Sequence, residues 1–192
     1  MRTLLLVLVF LLSGCVPQAQ LAYRGCNGVL ASPTEIVTAA HCLPLYNGGE
    51  TAIRSAGRMV KATPLEVDTV RDTARLALSE SVFAPYYATY REPSPGATGF
   101  VIGGCPLRAG TVFRVMATER VVGSDGVARW VWAVRDGHVT CGGDSGSPIW
   151  SDVEPGVYYG IVSRYERLRM RIGSTLVLLD AGASVYSGAG AQ

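Results

Sequence analysis

Short runs rich in Val, Ile, Leu, Tyr and Trp recur along this chain, separated by clusters of Gly, Pro, Asn and Asp. The runs at 36–38, 58–62, 74–78, 100–103, 111–117, 129–134 and 157–163 have strand length and strand composition. Several alternate with period two: Val112, Arg114 and Met116 fall on one face, Phe113 and Val115 on the other. Ser124-Asp125-Gly126 and Asp136-Gly137 predict hairpin turns, because Asp and Gly tolerate the positive φ such turns need. No segment carries the 3.6-residue period of an amphipathic helix, and no internal repeat is visible. The pattern predicts an all-β protein.

One apolar run breaks the pattern. Residues 4–12 follow Arg2 and precede Ser13-Gly14-Cys15. The run is short for a bilayer span and has the length of a signal-peptide core. Leu12-Ser13-Gly14-Cys15 resembles the bacterial lipobox, in which cleavage exposes a cysteine that then carries lipid. That resemblance implies a mature chain starting at Cys15, exported and held to a membrane by acyl chains. In a Gram-negative cell it would lie in the outer membrane or face the periplasm. Val16, in place of Asp, gives no inner-membrane retention signal.

Composition narrows the class. The 192 residues suffice for one ordinary domain or two small barrels. A charged fraction of 17% beside 23 glycines suits strands and turns better than a helical bundle. A net charge of +2 gives no footprint for nucleic acid. No metal-ligand spacing or nucleotide loop is present, and no cofactor is expected. The five cysteines leave four once Cys15 is given to lipid. An exported chain meets an oxidising compartment, and four cysteines permit three pairings.

Two segments carry the chemistry. Cys141-Gly142-Gly143-Asp144-Ser145-Gly146-Ser147-Pro148 sets a serine among glycines on a tight turn, as a nucleophile beside a backbone oxyanion hole requires. Upstream, Thr38-Ala39-Ala40-His41-Cys42 presents one of only two histidines, the other being His138. Together these segments resemble the TAAHC and GDSGxP signatures of the chymotrypsin/trypsin-like serine proteases. The resemblance covers roughly residues 26–179. It implies two six-stranded β-barrels with the active site between them, and a protein or peptide substrate.

What the resemblance implies residue by residue can be set out on this sequence. Ser145 is the nucleophile, His41 the general base, and the N–H groups of Gly143 and Ser145 form the oxyanion hole. Asp72 orients His41, because Asp72-Thr73-Ala74-Arg75-Leu76-Ala77-Leu78 resembles the family's Asp-Ile-Ala-Leu-Leu-x-Leu. Thr73 and Arg75 depart from that pattern, and Asp68 is the alternative. Gly160-Ile161-Val162-Ser163 matches a strand whose serine backs the aspartate, with Arg164 and Tyr165 replacing Trp-Gly. That strand would pair with an extended substrate. Cys26 pairs with Cys42, which would leave Cys105 and Cys141 to each other, a bridge that departs from the usual family pairings. Val139, six residues before the nucleophile, is the pocket floor, with Thr140 beside it. A valine there argues against cleavage after Lys or Arg and for small or medium apolar residues. Arg164, Arg167, Arg169 and Arg171 lie beside the cleft on this reading and would favour acidic residues or anionic lipid, though such a run is more often only a solvated loop.

No Ile-Val-Gly-Gly-type segment precedes Cys26, so Asp144 needs another partner and no N-terminal activation cut is expected. The Pro- and Gly-containing stretch around 93–98 divides the chain. The expected organisation is a signal peptide at 1–14, a tether at 15–25, barrels at 26–92 and 99–180, and a Gly-rich flexible tail at 181–192. The rival function is a protease-like module that binds a partner at the envelope with weak or no catalysis.

Overall fold

The computed structural model describes residues 16–44, 48–55, 57–103, 110, 112–122, 126, 128–134, 142–165, 168–172, 175–179 and 183–186, with side chains described no further than Ser163. Its first half is a closed six-stranded barrel. The strands are β1 (Gln18–Leu21), β2 (Asn27–Ser32), β3 (Glu35–Thr38), β4 (Thr51–Ser55), β5 (Arg58–Asp68) and β6 (Thr73–Leu78). The circuit runs β1-β2-β3-β6-β5-β4, and β1 closes it by pairing with both β2 and β4. Alternation explains which side chains fill it. Ala74, Leu76 and Leu78 of β6 point inward, while Arg75 between them faces solvent and pairs with Glu35 at 2.7 Å and Glu66 at 3.5 Å. The departure at Arg75 therefore lies on the outer face and leaves the core unchanged.

The second half is built from β7 (Thr89–Tyr90), β8 (Thr98–Ile102), β9 (Val112–Val122), β10 (Ala128–Val134), β11 (Pro148–Ser151), β12 (Val157–Tyr165), a hairpin of β13 (Leu168–Ile172) and β14 (Thr175–Leu179), and β15 (Ala183–Tyr186). Its order is β11-β8-β9-β10-β15-β12, and β11 also pairs with β12, closing a second circuit; β7 adds to β12 in parallel. Phe113, Val115 and Ala117 of β9 point into its core and Val112 is exposed, as the period-two pattern predicts. Trp132 is fully buried and stacks on Tyr159 at 5.8 Å between ring centroids. The fold is the trypsin-like double barrel that the motifs implied.

The domain boundaries need correction. Residues 15–25 are not a free tether, because β1 is a wall of the first barrel and Gln18 Nε2 donates to the Ile102 carbonyl of the second at 3.2 Å. Residues 181–192 are not wholly a tail. β15 fills the gap between β10 and β12, with Val185 opposite both Trp130 and Val162. Backbone pairing closes a barrel whatever the side-chain size, so small residues there hid the strand. Nor does the first barrel run to residue 92, since Thr89 and Tyr90 already pair with β12. Between the barrels, Trp150, Tyr158 and Ile161 of the second pack into the hydrophobic cluster of the first.

The buried Trp132 anchors the second core. Trp132→Ala is expected to lower stability by about 3–5 kcal/mol, whereas Phe83→Ala, at a site 87% exposed, should change it by less than about 0.5 kcal/mol. Urea unfolding of both variants against the parent measures the difference.

Candidate active site

His41 lies in a 3-10 turn, Ala40–Cys42, just past the end of β3. Ala39 and Ala40 are buried, and small side chains let the turn sit against the barrel. Cys42 is bridged to Cys26, which immediately precedes β2, so the turn is tied down on one side by a covalent bond. The other ties come from Asp72. Its carbonyl accepts from Ala40 N at 3.1 Å and its Oδ1 from His41 N at 2.9 Å.

Asp72 ends the β5–β6 hairpin. Asp68 Oδ1 accepts from Arg71 N at 2.7 Å and caps that turn, and its Oδ2 lies 3.6 Å from Arg71 Nε. Asp72 itself takes a left-handed conformation, φ 58°, one of two such non-glycine residues among those described. Aspartate tolerates that region better than most residues, and four hydrogen bonds hold it there. Its Oδ2 accepts from His41 Nδ1 at 2.8 Å and from Ser163 Oγ at 2.5 Å. A carboxylate only accepts, so Nδ1 carries the proton and Nε2 is free to take one. From the second barrel, Arg129 Nη2 donates to the Val70 carbonyl at 2.8 Å and holds the tip of the same hairpin.

Asp72 is 4% exposed, so burial pushes its pKa up. The hydrogen bonds from the His41 side chain, Ser163 and the His41 backbone pull the other way, and they win: the carboxyl sits below its ordinary 3.8. His41 is more open, with 38% of its side chain exposed.

Ser145 is half-buried after the 3-10 turn Gly142–Asp144, in which Gly143 and Asp144 are buried. The loop is fixed from both barrels. Asn27 N donates to the Ser145 carbonyl at 2.8 Å, and Asn27 Nδ2 donates to the Gly143 carbonyl at 2.7 Å. Gly146 N donates to Val162 O at 2.7 Å, and Val162 N to Ser147 O at 2.8 Å. Gly146 has φ 76°, and a Cβ there would lie 2.0 Å from the Asn27 carbonyl oxygen. Only glycine fits that approach.

The structure thus brings His41, Asp72, Ser163 and the Cys26–Cys42 bridge together, and ties the Ser145 loop to Asn27, the neighbour of Cys26. Val139, Thr140, Cys15, Cys105 and Cys141 lie outside the described residues, as do the side chains of Arg164 and Tyr165. Asn27 and Arg129 were not singled out by the sequence. Their signals were faint: a polar residue opening a strand after a cysteine, and an arginine within an apolar run. Among the described residues, Cys26, His41 and Cys42 form the one group near metal-ligand spacing. The two sulfurs are bonded to each other, so no thiolate is offered and the group does not fit a metal.

The family described as trypsin-like peptidase domain matches residues 26–190. The chain belongs to that family. No curated protein sequence matches it. Among solved structures, this trypsin-like peptidase domain is similar to the Rv3671c protease in its inactive form, with 21% identity, a TM-score of 0.66, and coverage of 92% of this chain and 86% of the other. The active form of that protease from M. tuberculosis gives 19% identity and a TM-score of 0.63 over 92% and 78%. Kallikrein-related peptidase 10, in complex with Zn2+, gives 20% and 0.62 over 89% and 88%. These likenesses concern the fold.

The depressed pKa of Asp72 carries a signed consequence. Its ionised form is favoured in the folded state, so it contributes stability above its ordinary 3.8, and that contribution is lost as pH falls through the lower folded value. Asp72→Asn should therefore be less stable than the parent at neutral pH, and the gap should close as pH is lowered from neutral past 3.8. Thermal melts of both across that range measure it; a gap that widens on acidification would contradict the assignment.

Proposed function

We propose that this trypsin-like peptidase is an exported, lipid-anchored serine endopeptidase that cleaves peptide bonds through Ser145, His41 and Asp72. The observation that carries the reading is the Asp72 carboxylate, buried and bonded to His41 Nδ1 at 2.8 Å and Ser163 Oγ at 2.5 Å. An imidazole so oriented presents Nε2 as a base. In the reaction, Ser145 Oγ attacks the substrate carbonyl and His41 Nε2 takes its proton. The tetrahedral oxyanion is held by the N–H groups of Gly143 and Ser145. The protonated His41 then donates to the leaving amine, and water repeats the sequence to release the acyl group. Asp72 stays ionised throughout and stabilises the imidazolium, in keeping with its depressed pKa.

Substrate lies extended along β12 beyond Ser163, by strand addition. Val139 at the pocket floor, with Thr140, turns the preference toward small or medium apolar residues and away from Lys and Arg. The enzyme needs no activating cut beyond removal of the signal peptide, a reading supported by β1, which lies before Cys26 and already pairs with β2 and β4 in the first barrel. Export and anchoring rest on Leu12-Ser13-Gly14-Cys15, with Cys15 as the lipid-bearing residue.

Fluorophosphonate labelling of the protein beside Ser145→Ala tests the chemistry. Labelling of the parent and not the variant is expected; a folded parent that is not labelled contradicts it and favours a protease-like binding module. Radiolabelled palmitate should mark the parent and not Cys15→Ala, and label retained on the variant contradicts the anchor.

A further inference from the structure

We infer that Asn27 is a positioning residue for the oxyanion loop, acting across the two barrels on the Gly143 peptide. The inference rests on the serine-peptidase reading above and adds to it a residue in the first barrel.

Asn27 opens β2, is 5% exposed, and makes three contacts at the junction. Its backbone N–H donates to Ser145 O at 2.8 Å, its Nδ2 donates to Gly143 O at 2.7 Å, and its carbonyl accepts from Thr38 Oγ1 at 2.6 Å. The first contact would survive any side chain. The second needs this one. The partner is a carbonyl, so the amide nitrogen must face it, which fixes the orientation of the amide group.

Gly143 has no side chain to restrict it and follows another glycine. Its φ and ψ are held only by what its peptide groups touch. Its carbonyl is bound by Asn27 on one side, and its N–H is the donor assigned to the oxyanion. Holding the carbonyl fixes the residue's ψ and restricts rotation about its Cα, so the N–H stays aimed before substrate arrives. Removing the Nδ2 donor leaves a buried carbonyl without that partner, and rotation of the glycine peptide is the low-barrier relief. The loss falls on the transition state, where the oxyanion forms, and little on ground-state binding. Asn27 touches no reacting atom, so its role is positioning and not catalysis.

The test uses the full chain as parent, Asn27→Ala and Asn27→Asp. Hydrolysis is measured on the best-cleaved member of a fluorogenic peptide library, with active sites counted by fluorophosphonate titration. A peptide aldehyde probes the oxyanion hole directly, because its hemiacetal oxygen uses the same N–H groups. Asn27→Ala should lower kcat per titrated site about 10- to 100-fold with KM within about threefold. Aldehyde affinity should fall in step with kcat/KM. A merely structural role would lower Tm and the number of titrated sites and leave kcat per site intact.

Asn27→Asp adds a pH signature. Only its protonated carboxyl can donate to Gly143 O, and burial beside that carbonyl oxygen favours that form. Its kcat relative to the parent should rise as pH falls, while the Asn27→Ala ratio stays flat. If Asn27→Ala does not fold, this profile decides alone. A kcat per site within about twofold of the parent, with a flat Asn27→Asp ratio, overturns the inference and leaves the peptidase reading standing. A folded parent that neither hydrolyses nor labels overturns both.

Discussion

A carboxylate removed from water must be given donors, and Asp72 draws its donors from both barrels. His41 supplies two from the first, through its ring and its backbone, and Ser163 supplies one from β12 of the second. Burial alone would push this carboxyl toward its neutral form; the donors reverse the sign. The depression of its pKa therefore depends on the two barrels being docked and the His41 turn being in place. That makes one buried charge a reporter of the whole assembly, and it explains why the hairpin tip is also held by Arg129 from the far side.

The same junction fixes the serine loop by a different means. There backbone carbonyls meet donors at close range. Cys26 and Asn27 are neighbours in sequence, and so are His41 and Cys42. The disulfide joins the first pair to the second, and Asn27 then reaches Gly143 and Ser145. Three short segments distant in sequence are locked by one covalent bridge and a few hydrogen bonds. In the chain-entropy model a loop of this size contributes about 3 kcal/mol. Gly146 allows the approach, since any Cβ would strike the Asn27 carbonyl. Strain is accepted at Asp72 for a like reason: the left-handed turn brings carboxylate and carbonyl to bear on one 3-10 turn.

Much of this was legible in the chain. Apolar runs placed β6, β9 and β12, and period-two alternation told the inner face of β9 from its outer one, because a half-buried strand writes its burial into every second residue. The His and Ser segments stood out because tight turns leave few residue choices. Asp72 was harder: Asp68 and Asp72 flank the same turn, and only the hairpin geometry separates the capping carboxylate from the one facing His41. β1 and β15 were misread as tether and tail. Both are short and close barrels through main-chain pairing, which leaves little mark on side-chain pattern. Asn27 escaped notice because its partners on the Ser145 loop lie more than a hundred residues away and are backbone atoms. Contacts to main chain have no complementary residue type to betray them.

The central claim is that the buried Asp72 charge activates Ser145 through His41. The rate of covalent modification of Ser145 by a fluorophosphonate, compared between the parent and Asp72→Asn, tests it most directly. The account predicts that the variant, folded and with its Cys26–Cys42 bridge intact, reacts slower by about 10⁴. Equal rates in the two proteins would contradict it, and would mean that Asp72 serves the fold and not the serine.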